Sequence, residues 1–254
     1  MPVLRDLADE ITRALGIPEL QVRPFSRSGA NAVLLLQGAG QAFFAKIFTD
    51  NDPNRLDANT RYDREKTILS RDWPVGMPDL VYAADVPRVL VTREVIGLGV
   101  KHFIDRGETL DAIAMMARWL AGFHAAAAVQ PRQGALWDDF IKYPEFRTAP
   151  GFSAHRKALG AYPLKEYVLA KGDATAVNFR FRGGQAIAYD FEGVAYRARE
   201  YDMVALIQGL NRLTGTTIAD MVDTVVEQYA SQRQIDDPAA TKDVLNRILS
   251  VSDY

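Results

Sequence analysis

Leu4, Leu7, Ile11 and Leu15 recur at helical spacing and stop at "GIP", which predicts an opening amphipathic helix ended by a glycine and a proline. From Val22 to Phe48 the pattern changes. The runs "QVRPF", "AVLLLQ" and "QAFFAKIF", separated by "SRSGAN" and "GAG", predict three consecutive antiparallel strands, with GAG as a hairpin turn. "DANTRYDREKTILS" has a cap at Asn59 or Thr60, then Tyr62, Ile68 and Leu69 among charges, which predicts a helix of about three turns. Beyond "DWPVGMP", the runs "LVYAAD" and "VPRVLVTREVIG" predict two more strands. The second half reads differently. "TLDAIAMMARWLAGFHAAAA" is apolar nearly all round, as in a helix buried inside a larger lobe. "GALWDDFIKY" and "SAHRKALGAY" predict short helices, and "EYDMVALIQGLNRL", "TIADMVDTVVEQYA" and "ATKDVLNRILS" all show helical spacing. The only later β-like segment is Leu169 to Gly193, "LAKGDATAVNFRFRGGQAIAYDFEG". The expected class is therefore α+β. A small antiparallel β lobe with one helix and a leading helix covers residues 1–96, a larger mainly helical lobe covers 97–254, and the switch lies near Glu94 to Gly99.

That later segment predicts its own register. Two extended runs joined by Gly183-Gly184 form a hairpin, because paired glycines accept the positive φ of a type I′ or II′ turn. If Arg182 faces Gln185, Asn178 faces Tyr189 and lies beside Asp190 at the open end. A carboxylate and an amide oxygen suit a hard cation such as Mg²⁺, which binds through one or two protein groups plus substrate phosphates. Asp173, on the loop "GDATAVN", brings a second carboxylate that is able to accept a proton. Taken singly, each of these residues reads better as a turn cap, and it is their combination that favours the site.

Composition narrows the partners. With 30 Lys+Arg against 32 Asp+Glu, the formal charge of -2 provides no field for nucleic acid or an anionic membrane. The absence of cysteine removes disulfides, thiolate zinc sites and cysteine nucleophiles, and three widely spaced histidines make a poor metal set. No stretch approaches the roughly 20 apolar residues of a membrane span, and "MPVLRDLADE" is unlike a signal peptide, so a cytoplasmic location is expected.

The spacing of Asp173 and Asn178, followed by a hairpin to "YDFEG", resembles the catalytic and metal-binding loops of the protein-kinase-like fold. It is most similar to the aminoglycoside phosphotransferase and choline kinase branch, and "DFEGVAYRAREYD" resembles the corresponding run of choline and ethanolamine kinases. The resemblance implies a bilobal ATP- and Mg²⁺-dependent kinase with Asp173 as catalytic base, Asn178 and Asp190 as metal ligands, and Asp202 holding the catalytic loop. Upstream it implies a phosphate-gripping cation on the third strand, matched by Lys46 in "FFAKIF", with an anionic partner on the next helix. Glu65 fits that partner, with Asp63 as the alternative. Ser28 and Gly29 in "SRSGAN" match the turn that covers the phosphates, although a plain hairpin turn explains that stretch equally. Glu94 and Ile96 in "LVTREVIG" match the adenine-binding segment between lobes. His124 occupies a position that such helices end on, and reads better as a core residue than as a catalyst.

One position departs from the branch. A histidine usually stands two residues before the catalytic aspartate, where this chain has Lys171. A lysine there either extends to solvent or brings a cation near Asp173, which would lower its pKa and weaken it as a base. The stretch between His124 and Lys171 is also short for a substrate-specifying insertion. The expected partner is a small hydroxyl acceptor: an amino alcohol, an aminoglycoside or a sugar. Asp138, Asp139, Glu145, Glu192 and Glu200 either suit a cationic group on it or are solvated surface. Lys171 and the sparse glycine turn motivate a second reading, a catalytically inert kinase-fold protein that binds nucleotide or a partner in a regulatory role.

Overall fold

A computed structural model of the chain describes residues 2–17, 20–28, 31–50, 56–131, 136, 140, 152–162 and 166–252. The chain divides into two compact units, Met1–Asp72 with Met77–Ile96, and Trp73–Gly76 with Gly97–Tyr254.

In the first unit, α1 (Pro2–Leu15) leads into a five-stranded sheet. Its strands are β1 (Gln21–Ser28), β2 (Asn31–Gly38), β3 (Gln41–Phe48), β4 (Leu80–Asp85) and β5 (Arg88–Arg93), in the order β1-β2-β3-β5-β4, antiparallel throughout. The "GAG" stretch is a hairpin turn, with Ala39 at φ 49 and Gly40 at φ 73, the two successive positive values of a type I′ turn. Strand alternation sorts the side chains to two faces. Leu34, Leu36, Phe43, Ala45, Val89 and Val91 form one buried face, on which Leu7 and Ile11 of α1 pack. Burying a side chain such as Ile11 is worth about 2 kcal/mol, so this face explains why the opening helix is amphipathic. Phe44, Lys46 and Phe48 alternate with that set and point to the other face, where α2 (Ala58–Leu69) packs through Tyr62 on Phe48. The cap of α2 is Asp57 rather than Asn59 or Thr60: its side chain accepts the Thr60 N–H at 2.9 Å.

The second unit is built on α4 (Thr109–Ala126), whose Ile113, Met116, Leu120 and Phe123 are fully buried. Ala112, Ala117 and Ala121 have no exposed surface either, so neighbouring elements approach closely on most sides. Packed around it are α6 (Arg199–Asn211), α7 (Ile218–Ala230) and the hairpin β8 (Phe179–Arg182) with β9 (Gln185–Ala188), while α8 (Pro238–Ser252) packs on α6 and α7. The hairpin has the expected register, Arg182↔Gln185 to Phe179↔Ala188, across Gly183 and Gly184 at φ 58 and 75. Leu98 and Phe181 exchange main-chain hydrogen bonds of 2.9 Å in both directions, and a Cβ on Gly97 would meet the Phe181 carbonyl at 2.8 Å.

The hairpin is not the only later β structure. The strands β6 (Gln130–Pro131), β7 (Glu166–Ala170) and β10 (Ala195–Arg197) form a small antiparallel sheet in the order β10-β7-β6. Segments of two to five residues offer too few alternating positions to register as strands in the sequence. For the same reason α3 (Val100–Asp105) had no signal of its own. "SAHRKALGAY" falls on α5 (Phe152–Gly160). "GALWDDFIKY" lies outside the described residues except for Leu136 and Phe140.

Candidate active site

Lys46 rises from β3 between Val33 of β2 and Leu90 of β5. Its Nζ lies 2.7 Å from Glu65 Oε2, with only 15% of the lysine and 7% of the glutamate side chain exposed. The pairing goes to Glu65, because Tyr62, Glu65, Ile68 and Leu69 share the buried face of α2 while Asp63 is exposed. At that burial the pair is a structural commitment, since removing one partner strands a charge. Arg61, which sequence reasoning passed over, is buried on the same helix face. Its Nε donates to the Leu56 carbonyl at 2.8 Å, and its guanidinium also reaches the Thr49 carbonyl and Asn31. It therefore ties the start of β2 to the end of β3; the only available signal was an arginine at a core position of the helical repeat.

Ser28 ends β1 and pairs with Asn31 of β2, while Gly29 lies outside the described residues. Glu94 is exposed, and its N–H donates to the Ala42 carbonyl at 2.9 Å, so of its two main-chain groups the N–H is committed to β3. Ile96 is 68% exposed. Both line a cavity of about 450 Å³ at the β2–β3 turn, together with Gln37, Gln41, Ala42 and Arg93. Lys46 is not among its lining residues.

In the second unit β7 delivers Lys171, Gly172 and Asp173. The loop turns at Gly172, φ 87, where a Cβ would fall 2.0 Å from the Gly193 carbonyl oxygen, so only glycine lets the two loops touch. Asp202, in the first turn of α6, accepts the N–H groups of Lys171 and Gly172 at 2.6 and 2.9 Å. His124 of α4 joins from the interior: its Nε2 lies 3.0 Å from Asp202 Oδ2 and its Nδ1 3.0 Å from the Tyr229 hydroxyl. Burial pushes the Asp202 carboxyl up, but the His124 and main-chain hydrogen bonds outweigh it and hold the group below its ordinary value. Burial likewise pushes the Tyr229 hydroxyl well up, which keeps it neutral.

Asp173 is exposed, and its Oδ1 accepts the Thr175 hydroxyl at 2.8 Å. Asn178 sits on a 3₁₀ turn, Ala176–Asn178, and is 8% exposed. Its Nδ2 donates to the Asp173 carbonyl at 3.2 Å and to Thr175 Oγ1 at 3.3 Å. With the amide nitrogen so used, Oδ1 is the acceptor that remains. The Tyr189 N–H donates to the Asn178 carbonyl at 3.1 Å, extending the hairpin by one step and bringing Asp190 next to it along the chain. Asp190 has φ 64, a left-handed conformation that few non-glycine residues adopt. The next residue, Phe191, is fully buried against Trp119 and Phe123.

Lys171 does not extend to solvent. It is fully buried, with Nζ donating to the carbonyls of Asp173 at 2.7 Å and Asp190 at 2.8 Å. Glu200, one of the carboxylates considered for a cationic group, is 1% exposed and bonded through Oε1 to Tyr162 and Arg199, so it is neither solvated surface nor open to a ligand. Glu192 is half-buried, and Asp138, Asp139 and Glu145 lie outside the described residues. The donors Asn178 Oδ1 and the Asp190 carboxylate are hard oxygens, the chemistry that Mg²⁺ requires.

No protein-family model matches the chain, and no curated protein matches it by sequence. Solved structures do. Choline kinase from Cryptosporidium parvum is similar over 98% of this chain and 87% of its own, with a TM-score of 0.68 at 11% identity. An amicoumacin kinase in complex with AMP-PNP and Ca²⁺ is similar over 96% of this chain and 84% of its own, with a TM-score of 0.59 at 13% identity. An aminoglycoside-3'-phosphotransferase of type VIII is similar over 96% and 98%, with a TM-score of 0.58 at 18% identity. The chain has the kinase-like fold of these proteins. Nearly the whole length of each is covered, so the likeness is that of the complete fold and not of one shared motif. Among the described residues no helix is long and apolar enough to cross a membrane.

Proposed function

We propose that the chain is an ATP-dependent small-molecule kinase, transferring the γ-phosphoryl group of ATP to a hydroxyl of a small acceptor such as an amino alcohol, an aminoglycoside or a sugar. The observation that carries this reading is the orientation of Asn178. Its amide nitrogen is spent on Asp173 and Thr175, which leaves Oδ1 as an oxygen donor for a cation, on the residue whose carbonyl accepts the N–H of Tyr189, the neighbour of Asp190 in the chain.

In this reading Lys46, held by Glu65, binds the α- and β-phosphates, and the turn at Ser28 and Gly29 covers them through backbone N–H groups. Glu94 and Ile96 bind adenine through main-chain groups, Glu94 through its carbonyl because its N–H is engaged with Ala42. Asn178 and Asp190 would hold Mg²⁺, which would supply positive charge to offset that of the phosphates. Asp173 orients the acceptor hydroxyl and accepts its proton as the oxygen bonds to the γ-phosphorus and the bond to ADP breaks. The Thr175 hydroxyl holds the Asp173 carboxylate during this step. The structures of choline, amicoumacin and aminoglycoside kinases support the same reaction class for this fold.

A thermal-shift titration with MgATP, followed by ATP turnover against pooled hydroxylated amines and sugars, tests the reading. MgATP should raise the melting temperature and at least one pool should accelerate ADP release. Binding with no turnover in any pool would favour a regulatory kinase-fold protein, and no binding would sink both readings.

A further inference from the structure

Lys171 has no step in the reaction proposed above, yet its side chain is wholly buried and its ammonium meets both loops of the site. Burying an ammonium is costly unless its donors are met, so a lysine is a poor choice for filling space. Here Nζ donates to the carbonyls of Asp173 and Asp190, and lies 5.4 and 5.9 Å from the ring centroids of Phe191 and Phe179. Three rotatable donors on a flexible stem let one group serve two carbonyls at once. One of those carbonyls belongs to Asp190, whose φ of 64 persists only where the surroundings over-determine it. The other belongs to Asp173, whose carbonyl also accepts the Asn178 amide. Two of the proposed functional residues thus meet one ammonium, and a third, Asn178, shares the Asp173 carbonyl with it.

We propose that Lys171 is the positioning residue of this site: its buried ammonium clamps the Asp173 and Asp190 main chains together and thereby sets the metal-binding geometry. This rests on the kinase reading above. The lysine is then a clamp and not a defect, with two of its donors on main-chain carbonyls.

The test compares the wild-type chain with Lys171→Met, which keeps the stem and removes the donors. Folding is followed by circular dichroism, and Mn²⁺ binding in the presence of AMP-PNP by electron paramagnetic resonance. Turnover is followed with whichever acceptor the pools supply. The variant should fold, lose about tenfold or more in Mn²⁺ affinity, as removal of an outer partner of a metal ligand does, and lose about 10- to 100-fold in kcat. KM for ATP should change little, because Lys46 and Glu65 are untouched. Mn²⁺ affinity and kcat within about twofold of wild type, far below the effect expected of an outer partner, would overturn the proposal and leave Lys171 as a core residue. If Lys171→Met does not fold, Lys171→Gln takes its place under the same criteria; failure of both to fold also overturns the positioning role. Should wild type itself bind no Mn²⁺ with AMP-PNP, the kinase reading fails and this proposal falls with it. Wild-type binding and turnover with an indifferent variant would sink the clamp alone.

Discussion

Asp202 accepts the main-chain N–H of Lys171 at 2.6 Å, so a carboxylate in the first turn of α6 anchors the loop that carries Asp173. Asp202→Asn would set an amide group against the two N–H donors and His124, and should lower stability by about 3 kcal/mol in urea denaturation at pH 7. The pH dependence has a definite sign. The folded carboxyl titrates below its ordinary value, so the unfolded chain binds more protons in the acid range. The contribution of Asp202 should be fully present above about pH 5 and fade as pH falls through the folded value. The gap between wild type and Asp202→Asn should therefore narrow from pH 5 to pH 3; a constant gap would refute the assignment.

Gly172→Ala places a Cβ 2.0 Å from the Gly193 carbonyl at a φ of 87. The atoms it meets are main chain, which cannot swing aside as a flexible side chain does, and a loss of about 3 kcal/mol or more is expected, seen as poor soluble yield or a sharply lower melting temperature. Gly107→Ala is the control. It has a similar φ of 72 but nothing within 4 Å, and should cost about 1 kcal/mol.

Lys46→Met removes the cation paired with Glu65 and, in the proposed reaction, the grip on the phosphates. kcat/KM should fall about 100-fold or more, and Asp63→Asn, on the exposed face of α2, should leave it near wild type. A kcat/KM for Lys46→Met within about twofold of wild type would mean that the pair serves folding and not phosphate binding.

Asp173→Asn keeps the side-chain shape and an oxygen for the Thr175 hydroxyl, but removes the proton acceptor. Turnover should fall about 10²- to 10⁴-fold with the MgATP-induced thermal shift largely retained. Joint loss of binding and turnover would show that Asp173 holds the nucleotide or metal and is not the base.

The hairpin was legible in the sequence to the level of register, because Gly183-Gly184 determines the turn and a two-residue turn determines which positions face each other. Lys46 stood out as the single charge in an apolar strand, and Glu65 as its partner from the face of a helix. The opening helix was legible from its 3.6-residue period. Other features left no such mark. The Asp57 cap lies two or three positions before the expected Asn59 or Thr60, as helix ends do when several residues nearby are able to cap. The chain from Asp202 through His124 to Tyr229 joins helices remote in sequence, so no local window contains it.

Local periodicity and turn chemistry alone determined the strands of the first sheet, the buried central helix of the second unit, and the spacing of Asp173, Asn178 and Asp190, since these depend on neighbours a few residues away. The fate of Lys171 was decided by tertiary structure. From the sequence it either reached solvent or carried a charge toward Asp173; in the fold Phe179 and Phe191 close over it, and the carbonyls of two separate loops take up its donors. A buried charge is defined by whatever surrounds it, and only the folded chain assembles those surroundings.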